Sequence, residues 1–125
     1  MRIATKLLTL ALSFVSTATF SSEILIINNQ YSDMRYNMYG LGERTIKARN
    51  DGGSYRRSVI IESAISIPEC SSTNAYTVQC PILILSKSPW EMSYSITETK
   101  YLKLEASSCT FNRQKPSTDY IISCN

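Results

Sequence analysis

Four cysteines are the side chains best equipped for covalent chemistry in this chain: Cys70, Cys80, Cys109 and Cys124. A thiolate can attack a substrate, ligate a metal or oxidise to a disulfide. The chain contains no histidine, so neither a Cys-His nor a Ser-His-Asp arrangement can form, and zinc sites that need imidazole are excluded. A four-thiolate zinc site is disfavoured by spacing, because the cysteines are separated by nine, 28 and 14 residues and form no C-x2-C knuckle. Two disulfides remain. In an antiparallel hairpin, directly opposed residues have a constant number sum. A turn centred between Pro116 and Ser117 gives 233, which is also 109 + 124. A turn centred on Ala75 gives 150, which is also 70 + 80. Opposed residues of a non-hydrogen-bonded pair lie close enough for a disulfide. The spacing therefore predicts Cys70–Cys80 and Cys109–Cys124, each closing its own hairpin.

Without histidine, acid–base work falls to carboxylates. Glu62, Glu91, Glu98, Glu105 and Asp119 are the candidates for a glycosidase-like pair acting on an anionic polymer, although no spacing brings two of them together. The chain has no G-x-S-x-G elbow and no S-x-x-K motif. Asn50-Asp51-Gly52-Gly53 is a turn signal rather than a P-loop, because no Gly-Lys-Ser/Thr follows it. No metal or other cofactor is expected.

Charge concentrates in one stretch. Residues 33–57 carry six cations (Arg35, Arg44, Lys47, Arg49, Arg56, Arg57) against Asp33, Glu43 and Asp51. A basic hairpin folded at Asp51-Gly52, with Tyr55 beside Arg56 and Arg57, is the expected ligand surface. Its residues would be Arg44, Lys47, Arg49, Tyr55, Arg56 and Arg57, facing an acidic protein surface or an anionic glycan. The same charges would also shield an edge strand. Trp90 and the tyrosines form a second candidate, a stacking platform. Of these, Tyr36 and Tyr94 fall on apolar faces and are expected in the core. Tyr31, Tyr39, Tyr55 and Tyr101 are expected at the surface.

Short β-like runs must position these groups. They are 24–27, 34–39, 44–49, 58–67, 76–85, 92–97, 100–106, 109–112 and 120–124, punctuated by four prolines and four glycines. Leu102, Leu104 and Ala106 alternate with Tyr101, Lys103 and Glu105, the period of a half-buried strand. Pro81 lies inside a run and cannot donate to a ladder, so an edge or a bulge is expected there. No stretch after the first twenty residues shows the i, i+3, i+4, i+7 stripe of an amphipathic helix. The expected fold is a small antiparallel β-sandwich of eight or nine strands in one domain over 19–125, with a closed barrel as second choice.

The start of the chain reads as an export signal. Arg2 and Lys6 precede the apolar stretch Leu7 to Val15, and small residues follow. Cleavage is expected after Ala18, or as late as Ser22. That stretch is too short to span a bilayer, and no transmembrane anchor is expected in the mature chain. Removing Arg2 and Lys6 takes the net charge from +3 (13 − 10) to +1 (11 − 10), so nucleic-acid binding by net charge is not expected. These features together predict a secreted or periplasmic, non-enzymatic binding or inhibitory module. A small carboxylate hydrolase and a subunit assembling by strand addition are the alternatives.

Overall fold

Alternating apolar and polar side chains fold residues 21–125 into strands, and no helix occurs among them; these are the residues that the computed structural model describes. The expected export signal, 1–18, lies outside the described residues. Ten strands follow in order: β1 Ser22–Asn28, β2 Met34–Met38, β3 Glu43–Ile46, β4 Tyr55–Ile61, β5 Ala64–Ser66, β6 Ser71–Asn74, β7 Thr77–Ser86, β8 Ser95–Leu104, β9 Cys109–Gln114 and β10 Asp119–Cys124. The first sheet has the order β9-β10-β1-β4. The second has the order β3-β2-β8-β7-β5, with β6 also pairing to β7. The fold is an all-β sandwich with two disulfides, and no closed barrel forms.

Burial explains the layers. Ile24, Ile26, Tyr120 and Ile122 of the first sheet pack with Met34, Tyr36, Val78, Ile82, Leu102 and Leu104 of the second in one apolar cluster. Their neighbours in sequence point outward, as a period of two requires. One ladder departs from the antiparallel expectation: β10 runs parallel to β1, from Tyr120 opposite Ile24 to Cys124 opposite Asn28. These strands come from opposite ends of the described chain. No hairpin joins them, so no turn imposes an antiparallel pairing.

Three boundaries differ from the sequence pattern. The run 58–67 is two strands in different sheets, broken at Glu62-Ser63. Ser63 fixes this corner, since its N–H donates to the Ile61 carbonyl (2.8 Å) and its hydroxyl to the Leu85 carbonyl (3.0 Å). The runs 92–97 and 100–106 are one strand, β8. β6 is polar and exposed throughout, so it carries no alternation to read. Pro81 fits its expected edge setting in a local form. β6 pairs with β7 over 77–79 and β5 pairs over 83–85, which leaves Pro81 between the two ladders.

Asn28 ties the sheets together. It is fully buried at the end of β1. Its Nδ2 donates to the carbonyls of Ser32 (3.0 Å), Ile46 (3.1 Å) and Lys47 (2.9 Å), and its Oδ1 accepts from the Gln30 N–H (2.9 Å). The end of β3 is thereby anchored to β1. Asn28→Ala would strand buried carbonyls, at a cost of about 2 kcal/mol. Urea unfolding should show a lower midpoint with an unchanged slope.

Candidate functional site

Both sheets end in an unpaired edge strand on the same side of the sandwich, β4 in the first and β3 in the second. Inner-face residues are read from the register. Val59 lies opposite Ile24 and Arg57 opposite Ile26, so both face the partner sheet. Arg44 lies opposite the buried Tyr36 and likewise faces inward. Between the two edges runs a groove of about 310 Å³. Tyr36, Met38, Val59 and Ile61 form its apolar floor, Arg44 stands at its mouth, and Glu62 lies at one end. Leu41 and Ile60 form its rim and are 77% and 62% exposed, an unusual state for two large aliphatic side chains beside each other's groove. Arg57 reaches across the seam, its Nη2 donating to the Thr45 carbonyl of β3 at 3.4 Å.

The six residues expected to form one basic hairpin do not form one. β3 and β4 belong to different sheets, and Asn50-Gly53 closes only an isolated bridge between the two residues that bound it. The Asn50–Gly53 signal does form a turn, but the strands it joins lie in different sheets instead of pairing. Arg44 and Arg57 share the seam. Arg56 lies opposite Ile27 and points to the outer face of the first sheet. The Arg49 guanidinium stacks over the Tyr31 ring at 5.4 Å. Lys47 is exposed just past β3, with its carbonyl held by Asn28. The Tyr55 hydroxyl accepts from Asn50 Nδ2 at 3.2 Å. Among the described residues, none of these five cations forms an ion pair, whereas Arg35 pairs with Glu43 (3.6 Å) and Glu105 (2.9 Å), and Lys100 with Glu98 (2.7 Å).

The carboxylate candidates are dispersed over the fold. Glu62 lies at the seam, Glu98 is held by Lys100, and Glu105 by Arg35. Asp119 Oδ1 accepts the Glu23 N–H at 2.8 Å. Glu91 closes the loop at the tip of the β7–β8 hairpin, accepting from the Ser88 N–H at 2.6 Å. That backbone hydrogen bond holds its carboxyl below the ordinary glutamate range. Because the folded value is depressed, the carboxylate's contribution to the loop is present above the ordinary glutamate range and is expected to be lost as pH falls through the lowered value. Trp90, the chain's one tryptophan, is 82% exposed in this loop and reports on it. Its emission should change in an acid step that Glu91→Gln abolishes.

Tyr36 is in the core, as its face predicts, but Tyr94 is not: it is 39% exposed, with Lys87 Nζ 5.9 Å from its ring centre. Tyr94 lies in the loop before β8, and the first half of that strand is exposed, so the alternation of Met92, Tyr94 and Ile96 meets no buried layer. Both disulfides join opposed residues. Cys109 faces Cys124 within a ladder of constant sum 233, and Ser71 opposite Gln79 continues to Cys70–Cys80. Ser108 and Asn125 exchange backbone hydrogen bonds at 3.2 and 2.9 Å, so the adjacent Cys109–Cys124 pair is the non-hydrogen-bonded kind. No helix among the described residues is long and apolar enough to cross a membrane. Comparison with models of protein families, with curated proteins and with solved structures finds no match to this chain. Fold and site together define a disulfide-stapled β-sandwich with an open, basic, apolar-floored seam.

Proposed function

We propose that this protein is an exported, non-enzymatic binding module whose seam receives an extended acidic and apolar segment of a partner protein. The observation that carries the reading is the seam itself: an apolar groove between two unpaired edge strands, with Arg44 in its lining, Arg57 beside it along β4, and no ion pair to either among the described residues. An extended segment laid along β4 gains main-chain hydrogen bonds from the free edge. Every second side chain of the segment then faces the groove, and these inward positions are apolar beside Val59 and Ile61 and acidic beside Arg57 and Arg44. The strand-addition alternative thus becomes the mode of binding rather than a separate function.

Export is part of the same proposal. Two disulfides suit an oxidising compartment. Ser22 is buried at the start of β1, where its hydroxyl donates to the Ser63 carbonyl at 2.7 Å. Cleavage after Ala18 keeps this contact, whereas cleavage after Ser22 removes it. Titration of the protein with a synthetic peptide that carries glutamate and valine at successive inward positions, with serine at the outward ones, tests the binding reading. Saturable binding is expected, with a lysine–valine peptide failing to bind. Equal binding of both peptides, or of neither, would overturn it.

A further inference from the structure

We propose that a depression on the outer face of the second sheet, separate from the seam, binds a sugar residue bearing a carboxylate. Three independent observations meet there. The first is an unmet demand for hydrogen bonds. Asn37 Oδ1 and the Tyr39 hydroxyl are the buried side-chain polar atoms of the described residues that have no hydrogen-bond partner. Buried polar atoms are nearly always paired, so two on one surface call for an explanation. The second is backbone strain. Tyr39 has φ 60°, and no other non-glycine residue among those described has a positive φ. Together with Gly40 (φ 74°) and the Leu41 N–H to Met38 carbonyl bond of 3.0 Å, it forms a tight turn that normally selects Asn or Gly at its first central position. A tyrosine held there is strained, and such strain clusters where a side chain is needed for function. The third is space: both residues line a cavity of about 300 Å³, the lower end of the range for small-molecule sites.

The rest of the lining narrows the ligand. Leu102 and Leu104 face the core, so Tyr101 and Lys103 point outward beside Asn37, which lies directly opposite Lys103. Tyr101 is 49% exposed and offers a ring face to an apolar sugar face. Lys100 is already engaged by Glu98 at 2.7 Å and sits over the Tyr39 ring at 5.6 Å. Lys103 makes no ion pair and is the cation left for a ligand anion. Asn37 Oδ1 needs a donor, which excludes a sulfate because it only accepts. An apolar ligand would leave both orphan atoms unmatched. A hydroxyl both donates and accepts, so vicinal sugar hydroxyls match Asn37 and Tyr39 once these side chains turn toward the cavity they line, and a ring carboxylate matches Lys103.

Titration of the full chain with trigalacturonic acid, followed by amide NMR, tests the site; maltotriose is the neutral comparison. Saturable shifts are expected at Asn37, Tyr39, Thr99, Tyr101 and Lys103, with maltotriose binding roughly tenfold more weakly. Tyr101→Ala and Lys103→Gln should each weaken binding about tenfold, and Lys103→Arg should restore it. Both positions are exposed, so the variants should keep the wild-type thermal midpoint. Absence of saturable shifts with trigalacturonic acid overturns the proposal. Equal affinity for maltotriose overturns the carboxylate assignment, and shifts confined to β3 and β4 assign the sugar to the seam instead.

Discussion

Replacing Cys109 and Cys124 together with alanine is expected to lower the unfolding free energy by about 3 kcal/mol, the chain-entropy value for a loop of this length. The bond spans 15 residues and closes the β9–β10 hairpin. The location makes this the more consequential of the two bridges. β10 sits inside its sheet between β9 and β1, and buries Tyr120, Ile122 and Cys124. Once β10 leaves, the parallel ladder to β1 goes with it, and Ile24 and Ile26 lose a neighbour strand. Cys70–Cys80 spans 10 residues and staples β6, which is exposed throughout. Its removal should cost slightly less in loop entropy and leave the core ladders intact. Chemical unfolding of the two double variants, with strand content followed by circular dichroism, separates the cases. A larger loss from Cys70–Cys80 removal would contradict this reading.

The second large effect is on binding. Arg44→Glu combined with Arg57→Glu should weaken the glutamate–valine peptide about a hundredfold, near 2.7 kcal/mol. Each substitution removes an attraction and installs a like-charge repulsion at the mouth of the groove. Both side chains are exposed, so stability should change by no more than about 0.5 kcal/mol at either site. The reversed seam should now accept the lysine–valine peptide. Arg56→Glu is the internal control: Arg56 is adjacent in sequence but points to the outer face opposite Ile27, and its reversal should have a far smaller effect. If Arg56→Glu matched the double variant, charge density alone would account for binding, without the groove.

Local chemistry was legible in the sequence wherever one residue's neighbours decide its state. The cysteine sum of 233 is that of the whole β9–β10 ladder, whereas the β6–β7 ladder starts at 151, with Asn74 opposite Thr77, and reaches the cysteine sum of 150 through a register shift between Ser72 and Asn74. Period-two alternation places Tyr36, Leu102 and Leu104 in the core. What alternation does not encode is which sheet a strand joins. The run 58–67 keeps its period through Glu62-Ser63, where the chain nonetheless turns from one sheet to the other. The basic hairpin failed for the same reason: a Gly-rich turn specifies a reversal, and the partner of each strand is chosen by long-range packing. Arg44 and Arg57 were named from composition, but the groove between them arises only when two sheets end side by side. Tyr39 and Asn37 had no sequence signal beyond Tyr39 preceding Gly40, because an orphan hydrogen-bonding atom is a property of the assembled surface.

Amide hydrogen exchange along β4, measured with and without the glutamate–valine peptide, tests the central claim most directly. Strand addition at the seam predicts that alternate amides between Tyr55 and Ile61, those not bonded to β1, become protected when the peptide binds. β9, the opposite edge of the same sheet, should exchange as before. Saturating peptide with no added protection in β4, or with protection appearing at β9, would contradict the account.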